Sequence, residues 1–73
     1  MMDDIESFKA RVGKNLRELR ESREWTQADL AREAGITRQA VANYEEGKQV
    51  MSLYVAVKIT KALKARSITV LTK

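Results

Sequence analysis

The sequence predicts an all-α fold, and three observations carry that expectation. Proline is absent and only three glycines occur in 73 residues, so little in the composition interrupts helices. Apolar side chains recur at three- and four-residue steps in four successive stretches, the spacing of one helix face. Gly35 and Gly47 each stand where such a stretch stops, the place where a left-handed residue without a Cβ ends a helix. One stretch departs from the pattern. Residues 67–73 are rich in β-branched side chains, and their local preference is a short strand. No linker, repeat or low-complexity tract is visible, and the length suits one domain over residues 1–73.

The first helix is expected from about Asp4 to Arg23. Ile5, Phe8, Val12, Leu16 and Leu19 form its apolar stripe, and Asp3, Asp4 and Glu6 suit its positive N-terminal end. Gly13 costs roughly 1 kcal/mol relative to Ala in a helix interior and marks the place for a kink or a fresh start. The second helix follows Thr26, a natural N-cap, with Asp29 in the Glu/Gln place of a capping box. Trp25 and Leu30 are spaced for a hydrophobic staple. Ala28, Leu30, Ala31 and Ala34 give an apolar face, and Gly35 with Ile36 fits a left-handed cap and its hydrophobic contact. Thr37 caps a third helix, about Arg38 to Glu46. There Val41 and Tyr44 face inward, while Arg38, Gln39, Ala42, Asn43 and Glu46 fall largely on the other side. Ser52 caps a fourth, about Leu53 to Lys64, whose apolar set is Val55, Ala56, Ile59, Ala62 and Leu63.

Composition excludes several functions. No cysteine means no disulfide framework and no thiolate metal site, and no histidine removes the commonest general base and metal ligand. Glu45 and Glu46 adjoin, but consecutive helix residues point different ways, so they make no acid–base pair. An enzyme is therefore not expected, nor a metal or cofactor. The apolar runs are too short to span a membrane, and the acidic N-terminus lacks the features of a signal peptide, so the cytoplasm is the expected compartment. A chain this short buries a modest core, which a second subunit would supplement.

The formal net charge of +4 favours an anionic partner. Residues 1–46 hold eight Lys/Arg against ten Asp/Glu, whereas residues 47–73 hold six Lys/Arg and no acid. That basic half reads either as a solvated tail or as a surface for phosphates or an acidic partner.

The middle of the chain is the most informative part. Gly35, Ile36 and Thr37 join two helices through a three-residue turn, and Ala31 and Ala34 are small enough for close approach. Val41 and Tyr44 anchor the back of the third helix, leaving its N-terminal residues to project where a DNA major groove could receive them. Arg38 has the fork that matches guanine O6 and N7, and Gln39 and Asn43 match adenine N6 and N7. Ala42 or the methyl of Thr37 suits a thymine methyl. Gln27, with Thr26, lies at the N-terminus of the second helix, where free N–H groups and the helix dipole favour phosphate. On spacing alone the same residues also make an ordinary solvated face, and the two readings stand level.

The chain resembles the lambdoid phage repressor and Cro helix-turn-helix proteins, the XRE family. The matching residues are Gly13-Lys-Asn-Leu16-Arg-Glu-Leu19-Arg20, Trp25-Thr-Gln27-Ala-Asp-Leu30-Ala31, Ala34-Gly35-Ile36-Thr37, Val41, Tyr44-Glu45 and Gly47-Lys48, and the match covers about residues 12–63. The resemblance implies a compact bundle of four or five helices with the second and third as the reading unit. It implies that Arg38, Gln39 and Asn43 reach bases, and that Gln27, the backbone near Gly47, and Lys48 hold phosphates. It also implies a structural ion pair between Arg20 and Glu45 behind the recognition helix.

Three departures from the family pattern concern the flanks. The loop Lys48-Gln-Val-Met51-Ser52 lacks the usual proline, and Lys64 stands where glycine usually follows the fourth helix. Residues 67–73, strand-like in composition, replace the usual fifth helix, and residues 64–73 are a candidate dimerisation segment. An unpaired edge of Ile68, Val70 and Leu71 would be a liability, so one expectation is a two-fold antiparallel ribbon between copies. The other is that Ile68 and Leu71 fold back on the core as a short helix or extended tail. The resulting expectation is a homodimeric repressor of double-stranded DNA that binds an inverted-repeat operator. The alternative is an antitoxin-like or adaptor protein whose chief partner is another protein.

Overall fold

The computed structural model describes residues 4–73; Asp3, expected near the start of the first helix, lies outside them. Five helices account for the regular structure, with no strand among the described residues: α1 (Ile5–Ser22), α2 (Gln27–Ala34), α3 (Arg38–Glu45), α4 (Leu53–Ala62) and α5 (Thr69–Thr72). α1 packs against α3 and α5, and α2 packs against α3 and α4. Leu16, Leu30, Val41, Ile59, Leu63 and Leu71 meet at the centre and are almost completely buried.

The four longer helices begin in one way. Asp4, Thr26, Thr37 and Ser52 sit in extended backbone, and each side chain accepts the amide hydrogen of the residue three further on. At α2 the box closes, because the Asp29 carboxylate also accepts the Thr26 amide at 2.8 Å. Their C-terminal ends share a pattern too. Gly35 and Gly47 adopt φ of 71° and 72°, and the following amides, of Ile36 and Lys48, return to the carbonyls of Ala31 and Asn43. The same turn ends α1 and α4 with Glu24 at φ 58° and Lys64 at φ 55°. A side chain there costs roughly 1–2 kcal/mol over an allowed backbone region, so the fold imposes these turns without glycine. Arg23 helps by donating Nε and a terminal nitrogen to the Leu63 carbonyl at 2.9 and 2.6 Å, fastening the end of α1 to the end of α4.

Two expectations need correction. Gly13 neither kinks nor restarts α1, which runs unbroken from Ile5 to Ser22. A Cβ at Gly13 would lie 2.5 Å from the carbonyl oxygens of both Tyr44 and Glu45. Glycine is there because α1 crosses the end of α3 almost backbone to backbone. The C-terminal segment is not a strand. Residues 69–72 form α5, with Leu71 in the core and Ile68 and Val70 packed against it. Its terminal carbonyls find partners on α1: Asn15 Nδ2 donates to Leu71 and Lys73 at 2.9 and 3.2 Å, and Arg11 Nε to Thr72 at 3.4 Å. Burial and these bonds override a strand preference that has no neighbouring strand to satisfy it.

Candidate nucleic-acid interface

Thr37 starts α3 by accepting the Ala40 amide at 3.0 Å, and this fixes which residues face outward. Arg38 and Gln39 are exposed in the first turn, and Asn43 follows one turn later, half-buried. Val41 and Tyr44 are buried on the opposite side, as the spacing predicts. Ala42 is also buried, at 8% exposure, so it does not present a methyl group to solvent as expected. The outward face is therefore narrower than the sequence implied.

The outward side chains are linked to one another. Gln39 Nε2 donates to Asn43 Oδ1 at 3.0 Å, and Asn43 Nδ2 donates to Gln49 Oε1 at 3.0 Å. An Arg38 nitrogen donates to Gln27 Oε1 at 3.4 Å, joining the start of α3 to the start of α2. Thr26 is exposed beside Gln27, its hydroxyl engaged in the cap of α2. Lys48 is exposed just past the left-handed Gly47 and lies 3.0 Å from the Glu46 carboxylate, which holds it at the edge of the same surface. The site residues expected on α2, α3 and the following loop thus converge. Ile68, Val70 and Leu71 do not join them; they belong to α5, packed against α1.

Behind this surface lies a charged cluster. Glu45 is buried and accepts two hydrogen bonds from Arg20, at 2.6 and 3.0 Å. It also accepts from Gln27 Nε2 at 3.0 Å and from Arg17 Nε at 3.4 Å. Arg20 is buried as well and donates a further bond to the Trp25 carbonyl at 2.7 Å. Burial pushes the Glu45 carboxyl up. The hydrogen bonds from Arg20 and Gln27, the Arg20 charge and the Arg17 bond together outweigh it and hold the group below its ordinary value of 4.5. Hydrogen bonding to Glu45 likewise raises Arg20, against its own desolvation.

Gln27 therefore has two partners, Glu45 behind it and Arg38 in front, and it connects the buried cluster to the exposed row. Two members of this arrangement were missed from sequence. Arg17 stands one helical turn before Arg20 on α1, a spacing that signals a shared face. Gln49 is placed by the Gly47 turn, which folds the loop back over the end of α3.

The comparisons with known proteins agree with this geometry. The helix-turn-helix family HTH_3 matches residues 16–71. The restriction-modification controller protein C.AhdI from Aeromonas hydrophila is 31% identical, with a TM-score of 0.85 over 89% of this chain and 97% of that one. The hypothetical transcription factor NHTF from Neisseria is 26% identical, with a TM-score of 0.86 over 100% of this chain and 83% of that one. A protein named as an HTH-type transcriptional regulator, TK0539 of Thermococcus kodakarensis, is 43% identical over 47 residues. This chain spans only 15% of that relative's length. Among the described residues no helix is long and apolar enough to cross a membrane. The chain belongs to the HTH_3 helix-turn-helix family of DNA-binding transcriptional regulators.

Proposed function

We propose that this chain is a homodimeric repressor that reads an inverted-repeat operator with α3 and acts in the cytoplasm. The observation that carries the reading is the outward row of Arg38, Gln39 and Asn43, backed by buried Val41 and Tyr44 and flanked by Gln27 and Lys48. In this reading Arg38, Gln39, Asn43 and the Thr37 methyl contact base edges. Thr26, Gln27, Lys48 and the Gly47 backbone hold phosphates. Two copies place their recognition helices in successive major grooves about 34 Å apart and occlude the promoter. The resemblance in fold to a restriction-modification controller protein supports a regulator of that kind.

Selection of bound sites from random DNA by the purified protein tests the reading. The expected result is a two-fold symmetric consensus with half-sites one helical turn apart. Arg38→Ala and Gln39→Ala should each relax preference at particular base pairs while the protein stays folded. No enriched site, together with a tight stoichiometric protein partner, would instead establish an antitoxin-like or adaptor role.

A further inference from the structure

We propose that Gln49 is a specificity-determining positioning residue, one that fixes the Asn43 carboxamide in the orientation that reads adenine; this rests on the reading of α3 as the recognition helix. The left-handed turn at Gly47 sends the chain back over the end of α3, and the Lys48 amide donates to the Asn43 carbonyl at 2.9 Å. One residue later Gln49 Oε1 accepts from Asn43 Nδ2 at 3.0 Å. Successive loop residues thus hold the same residue, first by its backbone and then by its side chain. On the other side, Asn43 Oδ1 accepts from Gln39 Nε2 at 3.0 Å.

The chain of amides has a direction, from Gln39 through Asn43 to Gln49. With Gln39 and Gln49 held as they are, turning the Asn43 amide over would set oxygen against oxygen at Gln49 and NH2 against NH2 at Gln39, losing both bonds. Held as it is, Asn43 keeps one free N–H and one free lone pair. That donor–acceptor pair matches adenine, whose major-groove edge offers the N7 acceptor and the N6 donor. Guanine offers two acceptors, O6 and N7, and needs two donors from a side chain. In this arrangement Asn43 has both its N–H groups available when Gln49 releases it. Gln49 therefore works against guanine at the base pair that Asn43 reads, without touching that base pair.

The test compares variants of the whole protein on its selected operator, with each of the four bases at the pair whose preference Asn43→Ala abolishes. Gln49 is exposed, so its substitution leaves the core untouched. Gln49→Met has similar length and no acceptor. It should lower adenine-over-guanine discrimination by about three- to tenfold at that pair alone, part of the roughly 5- to 150-fold that a good bidentate contact supplies. Gln49→Glu keeps the acceptor and adds a negative charge. It should weaken all sequences alike while keeping the preference. In an Asn43→Ala background, Gln49→Met should have no further effect on base preference. The proposal is overturned if Gln49→Met leaves the profile unchanged, if Gln49→Glu relaxes it equally, or if Gln49→Met shifts another base pair additively with Asn43→Ala. A wild-type chain that selects no operator overturns the DNA reading itself, and this proposal with it.

Discussion

Glu45 shows how one residue serves both stability and presentation. It lies at the end of α3 and accepts from Arg17 and Arg20 on α1 and from Gln27 on α2, so three helices meet at one carboxylate. Gln27 carries the arrangement forward to Arg38 at the reading surface. Removing one partner of a buried pair leaves the other desolvated and unpaired, which costs far more than the intact pair contributes. Glu45→Gln should therefore lower stability at pH 7 by on the order of 3 kcal/mol. The sign of its pH dependence follows from the depressed carboxyl. A folded value below the unfolded one gives stabilisation that is complete above the unfolded value. It is lost as pH falls from about 4.5 through the folded value. Urea titrations of both proteins at several pH values check this. The gap between wild type and variant should narrow on acidification, and an equal gap at every pH would remove the ionised carboxylate from the account.

Among the elements, the crossing of α1 over α3 has the least tolerance. The carbonyl oxygens of Tyr44 and Glu45 occupy the space a Gly13 side chain would need. Gly13→Ala would improve the local helix by roughly 1 kcal/mol if α1 stood alone. Instead it must push two backbones apart, and overpacking of that kind costs about 1–3 kcal/mol. The expected outcome is a net loss in thermal stability together with weaker operator binding, because the displaced element is the proposed recognition helix; a stabilised variant would contradict the crossing. This crossing also marks how far the sequence could be read. Caps at Thr26, Thr37 and Ser52, and the glycine turns at Gly35 and Gly47, act through neighbours a few residues away, so spacing alone reveals them. Gly13 and α5 are decided by residues far along the chain. The partner of Gly13 is α3, and the partners of α5 are Asn15 and Arg11, so local propensity pointed the wrong way at both. The outward placement of Arg38, Gln39 and Asn43 was legible in the sequence. The placement of Gln49 and the burial of Ala42 were not legible, since they depend on how the loop and helices close around α3.

For the whole molecule, the helical fold of the C-terminal segment removes the strand ribbon as the meeting point of two copies. Leu71 is 1% exposed and fills the core of its own chain, so it is not free to line a ribbon. Deleting residues 67–73 would open that core, and loss of a dimer on deletion would not locate the interface. Apart from Ile5 at the start of α1, the exposed large apolar side chains follow α3: Val50 at 49% exposure, then Leu53, Tyr54 and Val57 at 69%, 72% and 37% along α4. Leu53 also rims an apolar cleft of about 180 Å³ floored by Phe8, Val12, Ala56 and Leu71. A two-fold interface pairs one surface with itself, so each copy supplies both halves of the contact. A stable pair buries about 800 Å² per partner. If the proposed homodimer uses this exposed surface, α4 and its preceding loop contribute to that area. Both Leu53 and Tyr54 are exposed in the single chain, so exchanging them for glutamine should leave the helical circular dichroism intact. The double variant Leu53→Gln, Tyr54→Gln should sediment as a monomer at concentrations where the wild type is a dimer. It should also lose most of its affinity for a two-half-site operator while binding a single half-site as the wild type does. A double variant that remains dimeric would place the interface elsewhere on the molecule.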